Sequence, residues 1–436
     1  MATALIRVRV IVVAADTSTA AKRPRVLILG GGFAGVGAAK ELEDADIDVV
    51  LVDRRDYHTF QPLLYQLATG LIEETVVAHS LRDLVGHQEN TTVHEASVTG
   101  VDLDNRRVTF DGIDPLTYDY LVYALGAEVT YFGTEGAPEH AFPMYTLAHA
   151  MRLRDHVLER WEAADRDHSL IDDGALNVVV VGGGPTGVET AGAMAELYSS
   201  EFAKDYKDIP ADAAGVTLVE AGPELFTMFK PKLREYATKA LTERGVDVRT
   251  GSPVSSVEPT RVRLKSGDVN KAHTLVWGAG LTGNPLAQSL GIELQRGNRI
   301  GVGDDLTLPD HPEVFVLGDA AAIVDDKTEQ VLPQLGSVAL QSGEHAGETI
   351  ARRVAGKKTR PFHYHDKGTM AAIGRRAACV QMLGGKTMTG TKAQLAWVSV
   401  HLALLPTTED RAKAIVDFLG ATATHQRVGR IRVESG

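Results

Sequence analysis

Cysteine is almost absent from this chain of 436 residues, because Cys379 is the only one. A single cysteine excludes a disulfide within the chain and any relay between two thiols, and it fits a reducing compartment. We predict that Cys379 is a small buried apolar side chain rather than a nucleophile. Long apolar runs are also absent. No stretch of about 18 uninterrupted apolar residues occurs, so no segment is predicted to span a bilayer as a helix.

Negative charge is scarce in the C-terminal part of the chain, and the rest carries an excess of it. The whole chain carries −12, but residues 351–436 contain 15 Lys and Arg against 5 Asp and Glu, which leaves +10 there and −22 on the rest. A basic C-terminal block on an acidic body is typical of contact with an anionic surface such as lipid headgroups, and ordinary surface chemistry explains it equally well. No recognition motif accompanies the basic residues, so nucleic acid is not an expected partner.

The length of the chain and its hydrophobic share of 44% predict a globular protein of two or three domains.

The N-terminal residues carry no clear structural pattern. The apolar segment at residues 6–15 is short and is interrupted by Arg7 and Arg9. We therefore expect residues 1–24 to form a loosely attached tail rather than a secretory signal.

Glycine is concentrated in two matching motifs. Residues 30–35 are Gly-Gly-Gly-Phe-Ala-Gly and residues 182–187 are Gly-Gly-Gly-Pro-Thr-Gly, and each motif follows four apolar residues directly. In such a motif the first glycine permits a tight turn, the second lets the backbone approach a pyrophosphate, and the third lets a helix pack on a strand. The N-terminus of that helix then faces the phosphates. Two copies predict two dinucleotide sites, as are needed when NADH reduces FAD.

An acidic residue ends a second apolar strand in each unit. Asp53 follows Gly30 by 23 residues, and Glu220 follows Gly182 by 38. Each carboxylate is expected to bind a ribose diol, and an acid at Glu220 repels a 2′-phosphate, so NADH is expected over NADPH. Arg54 is expected at the adenosine half of FAD or in a solvated loop. Residues 201–214, in the longer second interval, are expected to form a surface excursion or a helix extension.

The order of the apolar runs predicts an α/β protein with two Rossmann-like dinucleotide-binding domains. Residues 25–150 begin the FAD domain, and residues 151–290 form the NADH domain. The run at residues 312–319 is expected to return to the first domain, so the FAD domain is discontinuous (25–150 and 291–355) with the NADH domain inserted. Residues 356–436 are expected to form a separate C-terminal domain for membrane association or dimerisation.

These features together resemble the type II NADH:quinone oxidoreductases, which are single-chain FAD enzymes on the membrane surface. The resemblance covers nearly the whole chain after residue 25. Residues 60–70, beginning Phe-Gln-Pro-Leu-Leu-Tyr-Gln, are similar to the family's segment beside the flavin, and residues 362–371, which contain Asp-Lys-Gly, resemble the opening of its C-terminal domain. Residues 183–189 and 311–319 resemble its NADH motif and returning FAD strand. The single cysteine separates the chain from dithiol and sulfide:quinone reductases with similar glycine motifs.

The resemblance implies roles for three charged residues. Asp319 would accept hydrogen bonds from the ribityl hydroxyls of FAD. Glu189 would lie near the contact between flavin and nicotinamide, where a carboxylate orients the carboxamide or relays a proton. Its alternative role is to complement the helix dipole from the first helical turn. Lys367 resembles a family lysine near the flavin, where a cation stabilises negative charge on the ring, and a solvated surface lysine is the alternative.

The quinone side departs from the family pattern. The family carries Ala-Gln and a second glutamine four residues after the first, on a helix facing the flavin, and the matching positions here are Gly336, Ser337 and Gln341. Ser337 and Gln341 share one helix face. The acceptor therefore stays open between menaquinone, ubiquinone and another oxidant. The alternatives are a soluble NADH diaphorase with a different small acceptor or a ferredoxin-type partner, and a flavin-bound redox sensor or assembly factor.

The apolar segment at residues 394–405 resembles the helix that the family lays in the membrane interface. Trp397 and nearby basic residues fit an interfacial helix, and a core or dimer helix is the alternative. The expected location is cytoplasmic, peripheral on the cytoplasmic face of the membrane, with a homodimer as an open assembly.

The candidate site residues fall into four groups, and no metal is expected. The candidate FAD-binding residues are Gly30, Gly32, Phe33, Ala34, Gly35, Asp53, Arg54, Gly126, Gly318 and Asp319. The candidate NADH-binding residues are Gly182, Gly184, Pro185, Thr186, Gly187, Glu220 and Gly280. The candidate catalytic residues are Glu189 and Lys367, and the candidate quinone residues are Ser337 and Gln341.

Overall fold

A computed structural model of the chain describes residues 23–210 and 212–424, with side chains up to residue 417. Residues 1–22 of the expected N-terminal tail therefore lie outside the described residues. In chain order, the α-helices of the described part are α1 (Phe33–Glu41), α2 (Leu64–Ala68), α3 (Leu81–Val85), α4 (Ala137–His140), α5 (Leu147–Arg166), α6 (Ser169–Asp172), α7 (Pro185–Leu197), α8 (Ala203–Asp205), α9 (Pro231–Thr242), α10 (Gly336–Val354), α11 (Gly390–Leu404) and α12 (Thr408–Thr424).

The first sheet is assembled from two distant parts of the chain. Its strands lie in the order Thr307–Leu308, His311–Val316, Tyr120–Tyr123, Arg25–Leu29, Asp48–Asp53 and Thr91–Glu95. Apart from the antiparallel pair at the first edge, neighbouring strands run parallel. Val314 pairs with Leu121, so the chain returns to the first sheet after the second unit, as the sequence predicts.

The second sheet consists of four strands from the inserted segment and one short edge strand that precedes residue 151. Its strands are Phe142–Pro143, Thr274–Trp277, Val178–Val181, Val216–Val219 and Val246–Arg249, in that order and all parallel. The four valines of the central strand are buried, as is typical of a parallel sheet covered by helices on both faces. Each glycine motif follows a central strand of its sheet. The N-termini of α1 and α7 therefore lie at the carboxyl ends of these strands.

The remaining strands form small sheets around these two units. They are Tyr57–Thr59 with Ala78–Ser80; Ser97–Asp102, Arg107–Asp111 and Leu116–Thr117; Ala127–Val129 with Leu281–Gly283; Val254–Glu258, Arg261–Leu264 and Val269–Lys271; Leu294–Gln295, Arg299–Gly301 and Ala321–Ala322; and Thr369–Gly374, Ala377–Gln381 and Thr387–Thr389.

The C-terminal part of the chain packs tightly on the inserted unit. A Cβ atom added at Gly192 of α7 would lie 1.8 Å from the carbonyl oxygen of Ile373, so the helix sits on strand Thr369–Gly374 at a distance that only glycine allows. Cys379, in the neighbouring strand, is fully buried, which confirms the apolar role predicted for it. Within the described residues, every helix is too short or too polar to cross a bilayer.

The polar stretch after α7 begins as an extension of the helix and not as a surface excursion. The π-helical turn Tyr198–Phe202 continues α7 into α8. Glu201, the first residue of this stretch, has a buried side chain that lies 3.7 Å from the guanidinium of Arg375. A cation from the C-terminal sheet thus compensates a carboxylate that the local sequence alone would leave in water.

Candidate functional site

The first cavity lies at the carboxyl end of the first sheet. It has a volume of about 410 Å³. Gly30, at the tight turn, has a positive φ of 103°, and a Cβ at Gly35 would lie 1.8 Å from the Gly30 carbonyl oxygen. Gly32 caps α1 without a side-chain hydrogen bond, and a Cβ there would project into open space. The first helix therefore presents free N–H groups to a cradle that fits a pyrophosphate.

The second cavity repeats this geometry at the second sheet. It has a volume of about 580 Å³. Gly182 has a φ of 115°, and a Cβ at Gly187 would lie 1.9 Å from its carbonyl oxygen. Gly184 caps α7 with no side-chain hydrogen bond and open space at its Cβ position, and Pro185 opens the helix. Proline suits this first position because its missing N–H would be unpaired there anyway. Of the candidate residues, the lining includes Gly182, Glu220 and Gly280.

The two ribose-binding candidates hold matching positions. Asp53 accepts hydrogen bonds from the backbone N–H groups of Gly31 (2.6 Å) and Arg55 (2.9 Å). Glu220 accepts them from Gly183 (2.5 Å) and Gly222 (2.6 Å). Each carboxylate is fixed beside its glycine turn and lines its cavity, as a ribose-binding acid requires. Arg54 and Gly126 also line the first cavity. Phe33 and Ala34 follow Gly32 in the first turns of α1.

Asp319 does not itself line the first cavity, but it contacts a lining residue that the sequence analysis did not identify. The hydroxyl of Tyr145, which lines that cavity, donates a hydrogen bond of 3.4 Å to the Asp319 carboxylate. Burial raises the pKa of Asp319, and the nearby Arg299 opposes this shift. Gly318, with a φ of 62°, donates its N–H to the Ser342 hydroxyl of α10. No local signal marks Tyr145, because its contact with Asp319 bridges distant parts of the chain.

Glu189 is buried at the boundary between the inserted unit and the C-terminal sheet. Its Oε1 accepts a hydrogen bond of 2.9 Å from the N–H of Ala372. Burial is the main cause that raises the pKa of Glu189 to about 8, and the Ala372 N–H and the Trp397 side chain oppose this shift. Tyr65, from the Phe-Gln-Pro-Leu-Leu-Tyr segment, is also buried, and the negative charge of Glu189 contributes to a raised pKa of its phenol.

The structure contradicts the alternative role of Glu189 and the interfacial position expected for Trp397. Glu189 is the fifth residue of α7, beyond the first turn, and its carboxylate binds a neighbouring strand, so it does not complement the helix dipole there. Trp397 is 1% exposed and packs inward, with its ring centroid 3.9 Å from that of His401, so it is not an interfacial residue. A helix that is apolar on most sides does not reveal from sequence which side faces the core.

The candidate quinone residues contact the segment that leads into the C-terminal sheet. The Ser337 hydroxyl lies 2.9 Å from the Tyr364 hydroxyl. Gln341 binds the backbone of His365 with both ends of its amide, donating to the carbonyl at 3.1 Å and accepting from the N–H at 3.0 Å. The polar pair of α10 therefore fixes this segment. Lys367 follows two residues later and is exposed.

The comparisons with known proteins agree with this geometry. The family model of the pyridine nucleotide-disulphide oxidoreductases matches residues 24–343. The chain is 34% identical to the type II NADH:quinone oxidoreductase NdhA of Mycobacterium tuberculosis, over 93% of this chain and 89% of that protein. It is 30% identical to the type II NADH:quinone oxidoreductase of Staphylococcus aureus, over 85% of this chain and 92% of that one.

Solved structures share the fold. NDH2 from Plasmodium falciparum, in complex with NADH, superposes with a TM-score of 0.88 at 19% identity, over 94% of this chain and 100% of that one. The sulfide:quinone oxidoreductase of Aquifex aeolicus gives a TM-score of 0.70 at 19% identity, over 93% and 95% of the two chains. The two glycine-turn cavities and the similarity over most of its length establish that the chain belongs to the type II NADH:quinone oxidoreductases.

Proposed function

We propose that this chain transfers hydride from NADH to bound FAD and then two electrons to a membrane quinone. The observation that carries the proposal is a wall shared by the two dinucleotide cavities. Strand Ala127–Val129 pairs with strand Leu281–Gly283. Ala127 lines the first cavity, and Gly280, directly before the second strand, lines the other. FAD fits the first cavity and NADH the second, so this ribbon would hold the two cofactors in one fixed relation.

The protein groups supply position and charge, while FAD when bound supplies the hydride and electron chemistry. The free N–H groups at the start of α1 and α7 would hold the two pyrophosphates. Asp53 and Glu220 would hold the riboses. Asp319, with Tyr145 beside it, would bind the ribityl chain of FAD. Arg54 would lie at its adenosine half.

Glu189 is proposed as the group that exchanges a proton during turnover. A carboxyl whose pKa lies near 8 is protonated in most of the molecules at neutral pH and ionised in the rest, so it can both give and take a proton. Its burial keeps bulk water from exchanging that proton freely. Lys367 is proposed as a cation at the flavin side of the segment that Gln341 fixes, with Ser337 and Gln341 bordering the quinone path.

The C-terminal part is proposed to place the enzyme on an anionic membrane surface. Exposed apolar side chains follow one another along this part of the chain, namely Met382, Leu383, Leu395, Val400, Leu404, Ile415 and Val416. Residues 351–436 carry a net charge of +10, and apolar exposure together with basic charge is the combination that binds anionic lipid. We place the enzyme on the cytoplasmic face, as a peripheral protein.

The domain limits and the assembly follow the same interpretation. We propose residues 25–150 and 291–355 as the FAD domain, 151–290 as the NADH domain and 356–436 as the membrane-association domain. A homodimer formed through this last domain is a further proposal, which light scattering in detergent at several protein concentrations would test.

Anaerobic reduction followed by reoxidation tests the function. The purified protein, reconstituted with FAD, is reduced with NADH and then mixed with menaquinone or ubiquinone analogues. We expect loss of flavin absorbance with NADH and rapid return with at least one quinone. Glu189→Gln should slow turnover at least tenfold while the FAD content stays unchanged. Reduction by NADH with no return on adding any quinone would favour a diaphorase with another acceptor, and turnover well below about 1 per second with every acceptor would favour a redox sensor.

A further inference from the structure

Phe132 combines two features that folded proteins rarely place on one residue. Its backbone lies in the left-handed region, with a φ of 52°, and its side chain is 70% exposed. A bulky residue with a positive φ is strained. Phe226, the other described phenylalanine with a positive φ, is 1% exposed and packs on Phe229 with ring centroids 4.9 Å apart. Burial compensates the strain at Phe226, whereas the side chain of Phe132 stays mostly in water and gains little by burial.

The strained residue belongs to a tight turn. The N–H of Thr134 donates a hydrogen bond of 2.9 Å to the carbonyl of Tyr131. The two central residues of the turn, Phe132 and Gly133, both have a positive φ, of 52° and 71°. Turns with this backbone ordinarily carry Asn, Asp or Gly at the first central position. The turn itself therefore does not account for an aromatic ring at Phe132.

The ring of Phe132 lies at the second cavity. Phe132 lines this cavity, and a Cβ added at Gly280 would lie 2.4 Å from the Cζ of its ring. The indole of Trp277 donates a hydrogen bond of 3.1 Å to the carbonyl of Thr130, and the N–H of Thr130 donates to the carbonyl of Gly280 at 3.2 Å. These bonds attach the turn to the end of strand Thr274–Trp277. They hold the Phe132 ring as a flat apolar face beside the cavity.

Glu220 marks the part of this cavity where the adenosine of NADH is expected. A pyrophosphate at the Gly182 turn and a ribose at Glu220 leave the adenine base beyond the ribose. The N–H of Ser252 donates a hydrogen bond of 2.8 Å to the backbone carbonyl of Glu220, and residues 252–255 line the cavity next to it. The base attached to that ribose would therefore lie beside this loop.

The segment that carries Phe132 borders the same part of the cavity. In strand Val254–Glu258, which continues the loop, the N–H of Val257 donates a hydrogen bond of 2.8 Å to the carbonyl of Glu135. Phe132 and Val254 both line the cavity. A purine base stacks favourably on an aromatic side chain, because both present an apolar π-face. The adenine end of the cavity thus has one flat aromatic face, which Phe132 supplies.

We propose that Phe132 is the stacking platform for the adenine ring of NADH, and that its strained turn holds the aromatic ring in place for this contact. The proposal rests on the proposed binding of NADH in the second cavity and adds the residue that recognises the base. The carboxylate of Glu220 then binds the ribose and the ring of Phe132 binds the base. The contact acts on binding of the adenosine half and leaves hydride transfer from the nicotinamide unchanged.

The first test is calorimetric titration of the FAD-loaded protein with two fragments of NADH, since bound FAD confines them to the second cavity. ADP-ribose contains adenine, and nicotinamide mononucleotide does not. Phe132→Ala should weaken the binding of ADP-ribose about tenfold and leave the binding of nicotinamide mononucleotide unchanged. Phe132→Tyr keeps the ring and should keep the affinity, whereas Phe132→Leu loses the flat face and should resemble Phe132→Ala. Val269→Ala is the matched control, because its side chain is 43% exposed outside the cavity lining.

The second test asks whether the strain serves binding. Asparagine tolerates the left-handed region, so Phe132→Asn should unfold at the same or a higher denaturant concentration while its affinity for ADP-ribose falls about tenfold. Denaturant unfolding and titration of the same FAD-loaded samples measure the two quantities. A variant that loses stability together with affinity would make Phe132 a structural residue of its turn and would overturn the proposal.

The outcomes separate this proposal from the function that it extends. If NADH does not reduce the flavin of the unmodified protein, the proposed function fails, whatever the affinity for ADP-ribose. If NADH reduces the flavin but Phe132→Ala binds ADP-ribose as tightly as the unmodified protein does, the role of Phe132 fails alone. An equal loss of affinity for nicotinamide mononucleotide also contradicts this role, because the ring would then contact the other half of NADH.

Discussion

Glu220 is one of two charged side chains that line the second cavity, and the other is Lys265. The first would repel the 2′-phosphate of NADPH, whereas the second would attract it. The hydrogen bonds from Gly183 and Gly222 hold the Glu220 carboxylate at the ribose end, so its charge should dominate.

We therefore expect NADH to be preferred over NADPH by at least tenfold in kcat/KM, which corresponds to about 1.4 kcal/mol. Glu220→Gln should reduce this preference, because Lys265 then remains as the charged side chain of the lining. Lys265→Met should increase it. Steady-state kinetics with both cofactors measure the ratio. Equal kcat/KM values for NADH and NADPH in the unmodified protein would contradict the expectation.

Glu189 should make the folded protein less stable as the pH rises. Its pKa in the folded protein is about 8, above the ordinary value of 4.5, so between these values the folded state keeps a proton that the unfolded chain has lost. Stability therefore falls across this window. Glu189→Gln removes the ionisation, and its free energy of unfolding relative to the unmodified protein should increase between pH 5 and pH 8 by on the order of 3 kcal/mol.

Denaturant unfolding at several pH values checks the stability of Glu189→Gln. Glu235→Gln, at an exposed position of α9, is the control and should show no such trend. A parallel dependence on pH in the two variants would show that the buried carboxyl does not carry the effect.

At the scale of elements, α7 has a dual role. Its first turn follows the glycine turn at Gly182, which lines the second cavity, and its middle rests on strand Thr369–Gly374 through Gly192. This contact brings the Ala372 N–H to Glu189 one turn earlier on the same helix. The glycine turn of the second cavity and the C-terminal sheet are thus joined by one helix.

Gly192→Ala should be strongly destabilising. The added Cβ would lie 1.8 Å from the Ile373 carbonyl oxygen, so helix and strand must separate at a cost on the order of 3 kcal/mol. Thermal and denaturant unfolding measure the loss. Gly301→Ala is the control, since its Cβ would meet only the Gln295 side chain at 3.6 Å. Equal stabilities of the two variants would mean that α7 and the strand have room to part.

The start of α12 is attached to the FAD-domain side of the molecule by a buried contact between a carboxylate and an imidazole. Asp410 Oδ2 lies 3.0 Å from Nδ1 of His79, whose side chain is 4% exposed. Asp410→Ala removes the partner of this buried imidazole, and we expect a loss of about 1–3 kcal/mol in the free energy of unfolding. Glu409→Ala is the matched control next to it, because its pair with Lys413 is largely exposed and should contribute little. Protease cleavage of α12 should accelerate in the first variant only.

The sequence predicts elements well where the signal is local. The glycine turns, their strands and the two acids predicted to bind ribose each occupy a few consecutive residues, and the structure places them as matched pairs. Prediction from the sequence fails where a contact joins distant segments. Tyr145 reaches Asp319, and the N–H of Ala372 reaches Glu189, only because sheets and helices bring distant segments together. The buried carboxylate of Glu201 likewise lies beside Arg375, which comes from the C-terminal sheet.

At the scale of the whole molecule, the C-terminal surface should bind anionic vesicles. Leu395→Asp removes an exposed apolar side chain and adds a negative charge, so we expect at least a tenfold loss of affinity, and salt should weaken binding of the unmodified protein. Vesicle co-sedimentation measures both. Val269→Asp is the control, with an apolar side chain 43% exposed on the small sheet of the inserted unit. Binding that is insensitive to Leu395→Asp and to salt would place the membrane contact elsewhere.

The return of strand His311–Val316 to the first sheet has a consequence for biosynthesis. The strands of the second sheet all lie between residues 142 and 249 or at Thr274–Trp277, so this sheet can close while the ribosome is still translating the rest. The first sheet begins earlier in the chain but must wait for Val314 to emerge and pair with Leu121. The nascent N-terminal half-domain therefore exposes an unpaired strand edge throughout synthesis of the inserted unit. Ribosome-stalled chains ending before residue 311 should bind chaperones and lack FAD affinity, while their inserted unit already resists proteolysis.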